Sequence, residues 1–264
     1  MNPHQQFAAQ LARQAGGLLL DYFKPSGTHA NLKSDRSVVT EADLAADRLI
    51  ADAIRTAYPG DGLLSEELQT TLGKNTPAVW VIDPLDGTTN FSLGLPIWGV
   101  CIARLVEGQP NLAAVYFPVL EELYTAESSA GAFRNGEPMQ VKPPIPDQPT
   151  AFFSCCTRTH RKYAVDLRYK TRILGSASYT WCAVARGAAI IGFEATPKIW
   201  DIAAGWLLVS EAQGVIETFD GSQPFPLIPG FDYRQQDFPT LAAATPELAI
   251  KAREQIRPRS QSAT

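Results

Sequence analysis

Long runs are what this chain of 264 residues lacks. No block of one charge sign interrupts it, and the net charge is only −4, so it carries no basic footprint of the kind nucleic-acid binders show. No apolar stretch is long enough to span a bilayer. The N-terminal MNPHQQFAAQLARQAGG has no basic start followed by an apolar run, so neither a membrane span nor a signal peptide is expected. The four cysteines, Cys101, Cys155, Cys156 and Cys182, show no CxxC spacing. The adjacent Cys155 and Cys156 read as a buried or half-buried structural pair, and free thiols in a reducing cytoplasm are the expectation. His4, His29 and His160 lack metal-ligand spacing and read as surface residues. Internal repeats and low-complexity tracts are also missing. What remains is globular: 45% hydrophobic and 19% charged residues, at a length suited to one compact unit of two lobes.

Along the chain, Phe7, Leu11, Ala15, Leu18, Leu19 and Tyr22 share one face at helical spacing, and Pro25 and Gly27 end that helix. A second helix starts at Thr40, where Thr40-Glu41-Ala42-Asp43 fits a capping box with Asp at its last position. Its apolar face runs from Ala46 to Ala57, and Pro59-Gly60 stops it. Leu63-Leu64-Ser65-Glu66-Glu67 is a short apolar piece ending in two acids. Strand patterns follow at 98–106, 112–117, 123–126 and 132–133, with Asn135-Gly136 as a tight turn. Pro143, Pro144, Pro146 and Pro149 mark a boundary between lobes at 1–148 and 149–264. Beyond it strand and helix signals alternate: a strand over 151–155, a helix over 178–187, an apolar run to Glu194, a helix opened by Trp200-Asp201, and a helix capped by Thr245 with Pro246 in its first position.

Four places share a feature. Glu66, the pair Asp83 and Asp86, Glu194 and Asp201 each stand where an apolar element ends or begins, and such ends are where ligands bind in layered α/β proteins. In WVIDPLDGTTNF (80–91) a buried strand runs directly into two carboxylates three residues apart. Close like charges repel unless a cation lies among them, and hard divalent cations take oxygen ligands, the Leu85 carbonyl between the two acids included. Gly87-Thr88-Thr89 would offer free backbone N–H groups to an anion. Carboxylates, a divalent metal and such amides together fit a phosphate ester. Taken singly, each residue has a plainer reading: an Asx turn for Asp83–Asp86, a solvated acid for Glu66, capping acids for Asp43 and Asp201, an exposed strand end for Glu194.

The conjunction resembles the inositol monophosphatase family, part of the fructose-bisphosphatase-like group of Mg²⁺-dependent, lithium-sensitive phosphatases. Asp83-Pro84-Leu85-Asp86-Gly87-Thr88-Thr89-Asn90-Phe91 matches its Asp-Pro-Ile/Leu-Asp-Gly-Thr-x-Asn-Phe block. Trp200-Asp201-Ile202-Ala203-Ala204-Gly205 matches its Trp-Asp-x-Ala-Ala/Gly-Gly block. Glu66-Glu67 and Val39-Thr40-Glu41-Ala42-Asp43 match two shorter elements, in the same order. The resemblance implies an α+β lobe and an α/β lobe in a layered αβαβα sandwich of the sugar-phosphatase type. It implies two to three Mg²⁺ ions, or Mn²⁺: one on Glu66, Asp83 and the Leu85 carbonyl, a second on Asp83, Asp86 and Asp201, a weaker third near Glu66. Gly87 and Thr88 amides would cradle the phosphate, and Thr88 with Asp43 would orient and deprotonate the attacking water. Glu194 would contact substrate hydroxyls, with Gly175, Ser176 and Ala177 as a second substrate-side element.

Three positions depart from the family pattern. Ser65 stands for a glycine, a change expected to cost only backbone room. Ser37 replaces an acid, and Lys33 stands about one place from the family's lysine. The implied activity is hydrolysis of a small polyol or sugar phosphate, inositol 1-phosphate foremost, by direct attack of water without a covalent phosphoenzyme. Fructose-1,6-bisphosphatase, histidinol-phosphatase and 3′-phosphoadenosine nucleotidase are rivals of the same fold, and Thr89-Asn90 favours the inositol branch. A binding role with the transcription machinery is the alternative outside catalysis. A cytoplasmic homodimer that binds neither nucleic acid nor membrane is expected.

Overall fold

The N-terminal periodicity forms helix α1 (Pro3–Tyr22), capped by the Asn2 side chain. The computed structural model describes residues 2–32, 38–73, 76–144 and 151–259. Lys33, Ser37, Pro146 and Pro149 lie outside the described residues. After α1 come β1 (Asn31–Leu32), β2 (Val38–Val39), α2 (Glu41–Ala57), β3 (Gly62–Ser65), β4 (Ala78–Asp86) and α3 (Thr88–Ser92). A meander follows in β5 (Gly99–Val106), β6 (Gln109–Phe117), β7 (Glu122–Glu127), β8 (Gly131–Arg134) and β9 (Glu137–Met139). The remainder alternates: β10 (Phe152–Cys155), α4 (Thr157–Lys162), β11 (Tyr163–Val165), β12 (Lys170–Arg172), α5 (Ala177–Ala185), β13 (Ala189–Glu194) and α6 (Ile199–Glu211). It closes with β14 (Val215–Thr218), β15 (Thr240–Ala243), α7 (Pro246–Gln255) and β16 (Ile256–Pro258).

Strands β3 to β9 lie in chain order in a seven-stranded sheet, parallel only between β3 and β4. The second sheet has five strands in the order β12-β10-β13-β15-β14. Side chains alternate across a strand, and this alternation sorts the core. In β4, Trp80 and Ile82 pack with α1 and α2, whereas Val79 and Val81 face α5 and α6. In β15, Ala242 joins the middle core while Leu241 and Ala243 pack under α7. The result is helices α1/α2, the seven-stranded sheet, helices α5/α6, the five-stranded sheet and α7, the expected αβαβα layering. Both faces of each sheet are covered, which is why β4 is apolar up to Asp83 and β13 up to Glu194, and why both bury every residue.

Turn chemistry agrees with the sequence. Asn135 and Gly136 both take positive φ, 52° and 85°, the twist a two-residue hairpin needs. The middle layer depends on a close approach of α5 and α6. A Cβ on Gly205 would stand 2.2 Å from Cδ1 of the fully buried Trp181. The same indole donates its Nε1–H to the Asp201 carbonyl at 2.9 Å, so the packing that requires Gly205 also fixes the first turn of α6. Gly205→Ala should destabilise the protein by about 1–3 kcal/mol through overpacking, read as a lower urea midpoint at unchanged m. An unchanged midpoint would mean the helices separate freely and Asp201 is placed by something else.

Candidate active site

The parallel pairing of β3 with β4 sets Ser65 opposite Ile82. The next residues, Glu66 just past the end of β3 and Asp83 still within β4, therefore stand side by side. Asp201 arrives from far along the chain, in the first turn of α6. It is the third helical residue and not the N-cap: Lys198 holds the cap, and its backbone N–H donates to Asp201 Oδ2 at 2.6 Å. Carboxylate oxygens of Glu66, Asp83 and Asp201 all lie within 4.8 Å of one another. Asp83 is 1% exposed; Oδ1 accepts from the Leu85 amide at 3.0 Å, and Oδ2 meets no donor among the described residues. Burial raises the Asp83 carboxyl well above its ordinary range, and the charges of Glu66, Asp86 and Asp201 push the same way. Burial likewise raises Asp201, against the opposing pull of the Lys198 amide.

Asp86 lines the same cleft, of about 270 Å³, with Leu85, Gly87 and Thr88. Its oxygens are gripped by the start of α5: the Ser176 and Ser178 hydroxyls donate to Oδ2, joined by the Ser178 amide at 2.8 Å, and the Ala177 amide reaches Oδ1 at 3.2 Å. Gly87 has φ 88°, and a Cβ there would stand 3.0 Å from the Ile97 carbonyl oxygen. Glycine thus lets the chain turn straight from β4 into α3. Thr88 Oγ1 is 3.0 Å from Asp43 Oδ1 and 3.0 Å from the Leu85 carbonyl oxygen. Asp43 serves two purposes at once: Oδ2 accepts from the Thr40 amide at 2.7 Å, closing the capping box of α2, while Oδ1 faces Thr88. Burial first, and the Glu66 charge last among the causes, push the Asp43 carboxyl up to about 6 against three hydrogen bonds.

A second cleft, of about 460 Å³, shares Thr89, Arg158, Gly175 and Asp201 with the first and adds Ser176, Ala177 and Glu194. Glu194 is 5% exposed. Its Oε1 accepts from Thr180 Oγ1 at 2.8 Å, and Thr180 Oγ1 lies 3.0 Å from Ser154 Oγ. Burial pushes Glu194 up to about 7, while the Cys156 thiol and the Thr180 hydroxyl pull it down. Asn90 joins two distant segments here, donating from Nδ2 to the carbonyls of Ile97 at 2.7 Å and Leu174 at 2.8 Å. A larger, mostly apolar groove beside Leu72, Leu105 and Leu227 contains one acid, Glu107, and no such cluster.

Several participants escape sequence reasoning. Ser178 and Thr180 sit inside a helix pattern with nothing local to mark them. Cys156 is half-buried, as expected, but it lines the second cleft. Arg158 rims both clefts, donates Nη1–H to Thr196 Oγ1 at 3.0 Å and has no acid partner among the described residues. Ser65 does more than occupy space: its Oγ accepts from the Leu68 and Gln69 amides at 3.3 and 2.9 Å.

The donor set is all oxygen, it holds a buried acceptor with no donor among the described residues, and burial and neighbouring charges make Asp83 and Asp201 resist ionisation. These residues fit a hard divalent cation. The αβαβα frame with acids gathered at strand ends and helix starts is that of a phosphatase of the sugar-phosphatase fold. The chain belongs to the inositol monophosphatase family, whose pattern it matches over residues 1–257. It is 37% identical over 234 residues to a histidinol-phosphatase of Chlorobaculum parvum, covering 84% of this chain and 88% of that protein. It is 35% identical over 238 residues to the Nus factor SuhB of Escherichia coli, covering 86% and 89%. To an inositol-1-monophosphatase of Mesorhizobium japonicum it is 35% identical over 225 residues, covering 81% and 85%. Among solved structures, an IMPase of Thermotoga maritima superposes with a TM-score of 0.80 at 27% identity, covering 96% of each chain.

The raised Glu194 carboxyl has a thermodynamic signature. A carboxyl with a folded pKa of about 7 and an unfolded value near 4.5 binds more protons in the folded state. Its contribution to stability is fully present below about 4.5 and lost as the pH rises to about 7. In chelator, the melting temperature of the wild type minus that of Glu194→Gln should therefore fall across this window and level off above it. A flat difference would show that Glu194 titrates as it does in water.

Proposed function

We propose that the protein is a Mg²⁺-dependent phosphate monoester hydrolase acting on a small polyol or sugar phosphate, with inositol 1-phosphate as the preferred substrate. The observation that carries this reading is the Glu66–Asp83–Asp201 cluster, with its unpartnered Asp83 oxygen, beside the Asp43–Thr88 pair. Glu66, Asp83 and the Leu85 carbonyl would hold one ion, and Asp83, Asp86 and Asp201 a second, with a third near Glu66. The hydrogen bonds fix the orientation of Asp86: three donors fill Oδ2, and the single donor on Oδ1 leaves that oxygen a lone pair to serve as a ligand. Such ions supply a lowered pKa for water and a polarised phosphoryl group. Thr88 then orients the water, and Asp43, pushed up to about 6, stands ready to take its proton near neutral pH. The Gly87 and Thr88 amides face the phosphate. The alcohol occupies the second cleft, lined by Gly175, Ser176 and Ala177, and its hydroxyls donate to Glu194. Arg158 at the shared rim counts against a cationic alcohol such as histidinol. The lobes, 1–148 and 149–264, close on the site from either side.

The reading carries with it a cytoplasmic homodimer inhibited by lithium. A second reading rests on the relatives named Nus factor SuhB at 34–35% identity: a partner of the transcription machinery. Co-purification with RNA polymerase, unaffected by loss of turnover, would support that role.

The deciding experiment is phosphate release with Mg²⁺ from inositol 1-phosphate, fructose 1,6-bisphosphate, histidinol phosphate, 3′-phosphoadenosine 5′-phosphate and glycerol 2-phosphate. The highest kcat/KM is expected for inositol 1-phosphate, and release from none would sink the assignment. Asp83→Asn should lower turnover by roughly 10³-fold or more at saturating Mg²⁺ while the protein stays folded; near-normal turnover would remove Asp83 from the site. Thr88→Ala should lower kcat by about 10²–10⁴ with little change in KM, and Asp43→Asn should do the same without adding to it. Independent, additive losses would reduce Asp43 to a helix-capping residue.

A further inference from the structure

Helix α2 carries a second buried carboxylate one turn beyond Asp43. Asp47 is fully buried, and its Oδ2 accepts from the backbone amides of Glu67 at 3.1 Å and Leu68 at 3.2 Å. Ser65, also fully buried, accepts from Leu68 and Gln69, and its own amide donates to the Gln69 carbonyl at 2.8 Å. The Glu66 amide donates to the Ile82 carbonyl at 3.3 Å. Every backbone N–H from Ser65 to Gln69 is thus bonded, and three of the five go to just two side chains. Gln69 is held further, donating from Nε2 to the Leu63 carbonyl and accepting from Arg55 of α2. Glu66 is the residue this turn presents to the acid cluster.

Asp47 and Ser65 thus take most of the backbone donors that give this turn its shape. Without acceptors on Asp47 and Ser65, the amides of 67–69 would turn toward water and the backbone that carries Glu66 would loosen. With them, the ordering entropy is met during folding and does not weigh against ion binding. We propose that Ser65 and Asp47 are positioning residues that hold the Glu66 turn in its ligand geometry before any ion arrives, and so set the affinity for the divalent cation. The proposal rests on the reading of Glu66 as a ligand. It gives the Ser65 hydroxyl a purpose that a glycine in its place could not fulfil.

The test is a titration of the full-length protein with Mn²⁺ in the absence of substrate, following free Mn²⁺ by paramagnetic resonance. Wild type, Ser65→Ala and Asp47→Asn are compared, with their melting temperatures in chelator. Ser65→Ala removes acceptors and no charge, so it is the cleaner variant; it should weaken Mn²⁺ binding about tenfold. The Mg²⁺ concentration for half-maximal phosphate release should rise by the same factor, and kcat at saturating Mg²⁺ should fall by less. Asp47→Asn should weaken binding at least as much. Unchanged Mn²⁺ affinity with a lowered melting temperature would make Ser65 a purely structural residue and overturn the proposal. A loss in kcat alone would overturn it as well. A wild type that takes up no Mn²⁺ would fail differently, removing the cation reading of the site and this proposal with it.

Discussion

Repulsion among buried carboxylates is the constraint around which this structure is arranged. Asp83 is sealed from water, one of its oxygens has no partner, and acid groups from Glu66 and Asp201 lie within 4.8 Å. Left to themselves these groups would move apart, or Asp83 and Asp201 would take up protons. They stay together because each is delivered by an element that cannot yield. Asp83 and Glu66 come off adjacent parallel strands, and Asp201 is fixed by α6, locked against α5 by Gly205 and Trp181.

Helix starts recur at this place for an electrostatic reason. Asp43 lies in the first turn of α2 and Asp201 in the first turn of α6, while Asp86 accepts from the first amides of α5. Each N-terminus favours negative charge by about 0.3–1 kcal/mol. Such contributions do not cancel the cost of bringing the acids together. They lower it, and a cation supplies the rest.

The parts legible in the sequence were those with local rules. Thr40 and Thr245 announced helix starts through their own side chains, Asn135-Gly136 announced a hairpin, and the acids at element ends announced a site because an apolar run stops so abruptly there. The layering was legible only through the family resemblance. What stayed hidden depended on distant parts of the chain meeting. Ser176 and Ser178 grip an aspartate about 90 positions away, and Asp47 looks like any polar residue on a helix until the 66–69 turn is seen above it. The pairing of β11 with β16 joins segments whose two short patterns carry no mutual signal. Asp201 was read three places off in its helix because Lys198, with no capping tendency of its own, occupies the N-cap after Pro197.

The two clefts differ in what they are made from. The acid cleft is walled by Asp83, Leu85 and Asp86 at the end of a completely buried strand, where only side chains of nearly the same shape fit the packing. The rim of the other carries Thr157, Arg158 and Ile173, all exposed. Substitutions on that rim leave the core untouched and cost little stability. Descendants of one ancestral catalyst can therefore diverge in the alcohol they accept while inheriting the hydrolytic end unaltered. A lineage built this way would accumulate separate names for its members long before its hydrolytic machinery had changed.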